Sequence, residues 1–307
     1  MSVPPVPIPA VSERLSEVAG IKLVQSTELY PALHAAEDAG LPMLVVDNRL
    51  GRAVIALQGA HVLAFQPSGQ REMLWVSPKC MLEAGKPIRG GIPLCLPWFG
   101  PSVDGSMMHG FARIMEWTPL ESEACADGST RVVFELASES AVTALWPHAF
   151  SFRLEVVVGS SLRLTLSAEI RSAMPAPLAF AFHTYFSVPN VADALVAGLE
   201  NITFIDKTDS LARKVEQGDV AIAALTDRVY LDVPNQQVLR IATGDVKINS
   251  DSKCAVVWNA WTNDKNMADV GEGNHVGYLC VERGDVADHV MTLAAGSSYH
   301  ASMTLSY

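Results

Sequence analysis

Residues 152–170 read FRLEVVVGSSLRLTLSAEI, and this stretch sets the fold class. Phe152, Leu154, Val156 and Val158 alternate with Arg153 and Glu155, the run breaks at Gly159-Ser160-Ser161, and Leu162, Leu164, Leu166 and Ala168 then alternate with Arg163, Thr165, Ser167 and Glu169. Side chains along a strand point alternately to two faces, so apolar residues at period two with polar ones between them describe a half-buried strand. Two such runs joined by a Gly-Ser-Ser turn describe an antiparallel hairpin with one wet face.

The same pattern recurs outward from this hairpin. Ala53, Ile55 and Leu57 precede Gln58-Gly59-Ala60, and Leu63 and Phe65 follow, which predicts a second hairpin. At the end of the chain Tyr299, Ala301, Met303, Leu305 and Tyr307 face one way, with Ser298, His300, Ser302, Thr304 and Ser306 facing the other. Helical signals are few: residues 12–19 ended by Gly20, and residues 30–39 ended by Gly40. Many short strands separated by Gly, Pro, Asn and Asp predict an all-β sandwich or barrel. Residues 1–307 read as a single domain, with residues 1–20, Pro-rich at their start, as a peripheral N-terminal arm.

Composition narrows the function. Apolar residues make up 49% of the chain and charged ones 18%, so a sizeable core can form. A net charge of −11 argues against nucleic-acid binding, which needs a surplus of Lys and Arg to displace counterions from phosphates. It leaves room for one small anionic ligand, because a few converging arginines act through the local field. Cys80, Cys95, Cys125, Cys254 and Cys280 show no zinc-knuckle or redox spacing and read as free thiols of a reducing cytosol. The first residues lack the cationic start and apolar block of a secretory leader, and the most apolar run, residues 176–182, is too short to span a bilayer. A cytoplasmic monomer without membrane association is expected.

Four segments depart from ordinary strand sequence. Residues 86–100, KPIRGGIPLCLPWFG, hold three prolines and three glycines, which rules out a regular central strand over the whole stretch. Arg89 beside Gly90-Gly91 suits an anion cradle of guanidinium and bare backbone N–H groups, and equally a tight turn with a solvated arginine. Residues 108–113, MHGFAR, place His109 and Arg113 close together after a polar loop; a surface arginine is the plainer reading. His183 lies in the run FAFHTYFS at residues 180–187, where burial would favour neutral imidazole, as a satisfied core residue or as a catalytic one. Glu282, in YLCVERGD at residues 278–285, ends an apolar run, and a carboxylate there is ion-paired, a strand cap, or chemically employed.

Taken in order, IRGGIPLCLPWFG, HGFAR, AFHTYFSV, TDRVY, VVWNAW and YLCVERGDV resemble the aldose 1-epimerase superfamily, and within it the glucose-6-phosphate 1-epimerase (hexose-6-phosphate mutarotase) branch. IRGGIP and HGFAR are the motifs that separate the phosphosugar branch from galactose mutarotases. The resemblance implies a galactose mutarotase-like β-supersandwich of large antiparallel sheets, with the sugar across a concave face. It implies His183 as general acid at the ring oxygen and Glu282 as general base at the anomeric hydroxyl. It also implies Arg89 and Arg113 on a 6-phosphate and Asp227 of TDRVY on sugar hydroxyls. Met108 departs from the family pattern, where Gln is expected; Met cannot donate a hydrogen bond, and His109 is a substitute donor.

Such chemistry opens a cyclic hemiacetal and recloses it on the other face, so a base and an acid are expected on opposite sides of the C1–O5 unit. A buried Glu and a His have suitable proton affinities, and no metal or cofactor is called for. Three readings compete: an epimerase of non-phosphorylated aldoses, a carbohydrate-binding sandwich without catalysis, and a glycoside hydrolase, which would want two carboxylates rather than one His and one Glu. Trp258 and Trp261 read as core or cleft wall, His275 as solvated at the mouth, and His61 and His148 carry no argument.

Overall fold

The structure, a computed structural model, describes residues 18–35 and 38–307. The predicted hairpin forms as read: Phe150–Val158 and Leu162–Ile170 pair antiparallel, from Phe150↔Ile170 to Val158↔Leu162. Its apolar face, Phe152, Leu154, Val156, Leu164 and Leu166, is buried, and its charged face is wet. Ser298–Ser306 adds to this hairpin along Leu162–Ile170 and buries Ala301, Met303 and Leu305, the side its alternation assigned inward. Gly51–Ala56 and His61–Pro67 form the second predicted hairpin.

Among the described residues the strands assemble into two large antiparallel sheets and two smaller ones. The larger sheet has nine strands and runs from Val220–Ala221 through Gln236–Arg240, Val246–Ser250, Ser298–Ser306 and the first hairpin to Thr118–Ala124. The other has eight and runs through Ala212–Val215, Thr203–Asp206, Thr226–Tyr230, Cys254–Asn259, Tyr278–Asp285, Phe180–Phe182 and Leu94–Cys95, with Tyr185–Ser187 also on Tyr278–Asp285. One continuous core joins them: Phe152, Leu164 and Met303 from the nine-stranded sheet, Phe180, Leu279 and Val281 from the eight-stranded one, and Val46, Ile55 and Phe65 from a four-stranded sheet at Ile21–Pro67. Burial on this scale, at roughly 25 cal/mol per Å² of apolar surface, is what holds such sheets face to face.

The helical expectations need correction. The described residues of 30–39 form no helix of that length: a single turn occupies Ser26–Leu29 and a 3₁₀ turn Pro31–Leu33. Pro31 sits at the first position of the second turn, where its missing N–H does no harm, and Gly40 instead packs against Ser26 and Thr27. Residues 12–17 of the expected helix and most of the N-terminal arm lie outside the described residues, and residues 18 and 19 are a bend and a turn. Of residues 86–100 only Leu94–Cys95 is strand, as the prolines and glycines require.

Candidate active site

The site grows from the period-two rule applied to the central strand Tyr278–Asp285, which is buried on both faces. Leu279 and Val281 enter the core between the sheets, so Tyr278, Cys280 and Glu282 face the opposite side. Glu282 is therefore a mid-strand residue, not the strand end that the apolar run suggested. Arg283, on the other face, does not pair with it: its guanidinium donates to Gln237 and to the carbonyls of Asn235, Cys254 and Ser252.

Neighbouring strands supply the rest in register. Val256 stands beside Glu282, and Val229 beside Val256. One step along, Asp227, Trp258, Cys280 and Tyr185 form a row across four strands. Phe180 and Phe182 point into the core, which turns Ala181 and His183 to the site face, and the His183 N–H donates to the Pro93 carbonyl at 3.0 Å. The imidazole stacks on Tyr185, 4.8 Å between ring centroids and 5° between planes. Residues 99 positions apart in the chain thus meet: His183 Nδ1 is 3.3 Å from Glu282 Oε1. They sit side by side rather than across an open gap.

Two loops close the site. Gly90 and Gly91 have φ of 118° and 62°, and a Cβ there would come within 2.4 Å of the Trp75 carbonyl oxygen and 2.3 Å of that of Val62. His61, which carried no argument in the sequence, fixes this loop by donating from Nε2 to the Gly90 carbonyl at 2.7 Å. In the other loop His109 (φ 61°) and Gly110 (φ 71°) both adopt left-handed backbone, and a Cβ on Gly110 would meet the Leu96 oxygen at 1.9 Å. The Gly100 N–H donates to His109 Nδ1 at 3.2 Å, so the proton of the neutral ring lies on Nε2 and His109 is a donor.

All six residues singled out from the sequence, Arg89, His109, Arg113, His183, Asp227 and Glu282, line one cavity of about 280 Å³. Sequence reading missed Lys207, Phe99 and Met267 in the same wall. Lys207 follows the strand Thr203–Asp206, a position at which a lone lysine carries no signal. Trp258 is cleft wall, as expected. His275 is not solvated: its Nδ1 lies 2.6 Å from the buried Asp264 carboxylate.

Electrostatics divide the cavity. Burial pushes the Glu282 carboxyl well above the ordinary carboxylate range; Lys207 opposes that and Asp227 adds to it. Burial, with His109 and Arg89 nearby, holds His183 well below the usual imidazole value. Burial thus favours the neutral form of each group, a protonated carboxyl beside a neutral imidazole. Glu282 Oε2 and His183 Nδ1 are both buried without a hydrogen-bond partner. Burial, with Arg113 and Lys207, likewise brings His109 down to about 3. Arg89 is heavily engaged: Nε and Nη2 contact Asp269 Oδ2 at 2.9 and 2.8 Å, and Nη1 donates to the Tyr185 hydroxyl at 2.9 Å. Arg113 donates to the Met108 carbonyl at 2.7 Å, and its Nε is buried without a partner.

The family model described as "Aldose 1-epimerase" matches residues 42–306. The chain is 34% identical over 261 residues to a protein of Salmonella typhimurium named "Putative glucose-6-phosphate 1-epimerase", covering 83% of this chain and 87% of that one. It is also 34% identical over 265 residues to an Escherichia coli protein of the same name, with 83% and 87% covered. Among solved structures it is similar to "a putative mutarotase" from Salmonella typhimurium, with a TM-score of 0.81, 29% identity, and 95% of this chain and 98% of that one covered. A "galactose mutarotase related enzyme" from Lactobacillus acidophilus shares the fold, with a TM-score of 0.68, 17% identity, and 86% and 97% covered. With its sandwich, its buried His–Glu pair and these matches together, the chain belongs to the aldose 1-epimerase family, enzymes that interconvert the anomers of sugars.

Proposed function

We propose that the protein interconverts the α and β anomers of D-glucose 6-phosphate by general acid/base ring opening and reclosure. The observation that carries this reading is the contact between His183 and Glu282 inside a cavity that also holds three cations, Arg89, Arg113 and Lys207. At about 280 Å³ the cavity lies at the low end of ligand pockets, roughly 300 Å³, a size for one monosaccharide rather than an oligosaccharide.

Anomerisation neither consumes nor releases a proton, so a pair that holds one proton before and after the reaction suits it. The substrate's O1–H donates to Glu282 Oε2, which has no partner of its own, and this favours the carboxylate. The pair's proton then passes across the 3.3 Å contact to His183. Glu282 takes the O1 proton, His183 protonates O5 from Nε2, and the C1–O5 bond opens to the aldehyde. Rotation about C1–C2 presents the other carbonyl face, and the same two groups act in reverse. C1 carries both reacting oxygens, so neighbouring groups serve as well as flanking ones. Asp227 accepts from sugar hydroxyls and the neutral His109 donates to one, in place of the donor that Met108 lacks. The phosphate does no chemistry. Held by Arg113 and Arg89, it fixes the far end of the sugar so that the anomeric end meets the pair, which lowers the entropic part of the barrier.

The test is NMR magnetisation exchange between the α and β C1 protons, with glucose 6-phosphate and with glucose, with and without enzyme. A rate enhancement greater for the phosphosugar supports the reading. Equal enhancement of both sugars makes the protein a general aldose epimerase, and none on either leaves it a sugar-binding sandwich.

A further inference from the structure

Three cations reach the cavity, and their donors are committed differently. Arg89 gives three of a guanidinium's roughly five N–H groups to Asp269 and Tyr185. Arg113 gives one to a carbonyl and keeps its Nε free. The Lys207 ammonium has one carboxylate within ion-pair range among the described residues, Asp227 Oδ1 at 3.5 Å, longer than the about 2.9 Å of a well-formed N–H···O bond. It also lies 4.9 Å from the centre of the Phe99 ring, and Phe99 packs against His109 at 4.8 Å, so Lys207 and the turn carrying Arg113 border the same space.

We infer that Lys207 is a specificity-determining contact for the anionic group of the substrate, acting with Arg113. The inference rests on the phosphosugar reading and adds a residue that neither the motifs nor the family pattern supplied. A charge tally supports it. Arg89 and Arg113 against Asp269 and Asp227 sum to zero, and Lys207 leaves the cavity at +1 when Glu282 holds the pair's proton. A phosphomonoester carries roughly −1.5 to −2 at neutral pH, so this surplus favours it over a neutral hexose. The lysine stem is flexible, and its donors are not tied to one fixed geometry as a guanidinium fork is. It can therefore leave Asp227 free to accept from a sugar hydroxyl while the ammonium meets the phosphate.

The experiment compares wild type, K207M and K207R by magnetisation exchange on glucose 6-phosphate and glucose, with a thermal melt of each protein. In K207M the ratio of kcat/KM for the phosphosugar to that for glucose is expected to fall about tenfold or more, chiefly through KM, and K207R restores most of it. A K207M ratio equal to wild type overturns the inference. So does an equal loss on both sugars, which would assign Lys207 to the Glu282 side of the cavity. A wild-type ratio near one refutes the phosphosugar reading itself, a result distinct from failure of Lys207 alone. The side chain is 32% exposed, so neutralisation does not open the core; K207Q repeats the test should K207M melt early.

Discussion

Replacing Glu282 with Gln is expected to abolish activity while leaving the fold as stable or more stable at neutral pH. The side chain is 1% exposed, its Oε2 has no partner, and Gln fills nearly the same volume. A positioned base contributes about 10²–10⁴ in rate, or roughly 3–5 kcal/mol at 1.36 kcal/mol per decade. Stability should move the other way. Because burial raises the folded-state pKa of Glu282, the folded protein keeps a proton that the unfolded chain releases above about 4.5. The stability contributed by this group is therefore full below the unfolded value and is lost as pH rises toward the folded one, at up to about 1.36 kcal/mol per unit. Gln does not titrate, so the mutant loses nothing over that window. For a chain of 307 residues 1 kcal/mol is worth about 1–2 °C in Tm. The assay pairs C1 magnetisation exchange with thermal melts at pH 4.5 and pH 7.5. E282Q should be inactive at both, and its Tm advantage over wild type should grow with pH. Turnover within tenfold of wild type would remove Glu282 from the chemistry. A mutant that melts several degrees lower at pH 7.5 would show that the carboxyl stabilises the fold, and would refute the account of a costly buried acid.

Four further outcomes follow from the same geometry. Arg113→Met should raise KM for glucose 6-phosphate by about 10–150-fold, the worth of one charge-assisted hydrogen bond at roughly 1.5–3 kcal/mol, and change KM for glucose little. Arg89→Ala should instead impair both sugars, because it strands Asp269 and the Tyr185 hydroxyl beneath the His183 ring; losses confined to the phosphosugar would contradict that. Gly110→Ala should lower Tm by several degrees and reduce activity, since its Cβ would sit 1.9 Å from the Leu96 oxygen at a φ of 71°; an unchanged melt would show that the loop yields. Burial holds the His61 imidazole down to about 4, so the unfolded chain binds a proton below pH 6.5 that the folded one refuses. Urea titrations of wild type and His61→Asn should accordingly diverge as pH falls from 6.5 toward 4, with wild type losing up to about 3 kcal/mol more, and parallel profiles would contradict a buried neutral His61.

The sequence by itself determined the fold class and the elements that carry it. Period-two alternation at 152–170, 53–65 and 299–307 places each side chain on a face without reference to anything distant, so these strands were legible locally. Five of the six candidate residues sit in segments whose glycines, prolines or misplaced polar group break strand grammar, Asp227 is reached only through the family resemblance, and all six line one cavity. Only the tertiary structure decided how those residues relate. That Glu282 is mid-strand and turned from Arg283 depends on which face the second sheet covers. That Arg89 is braced by Asp269 and Tyr185, and that Lys207 joins the cavity, depends on contacts between residues 20 to 180 positions apart. The loop closures that bring such residues together are driven by burial of the whole core, and no single segment encodes them.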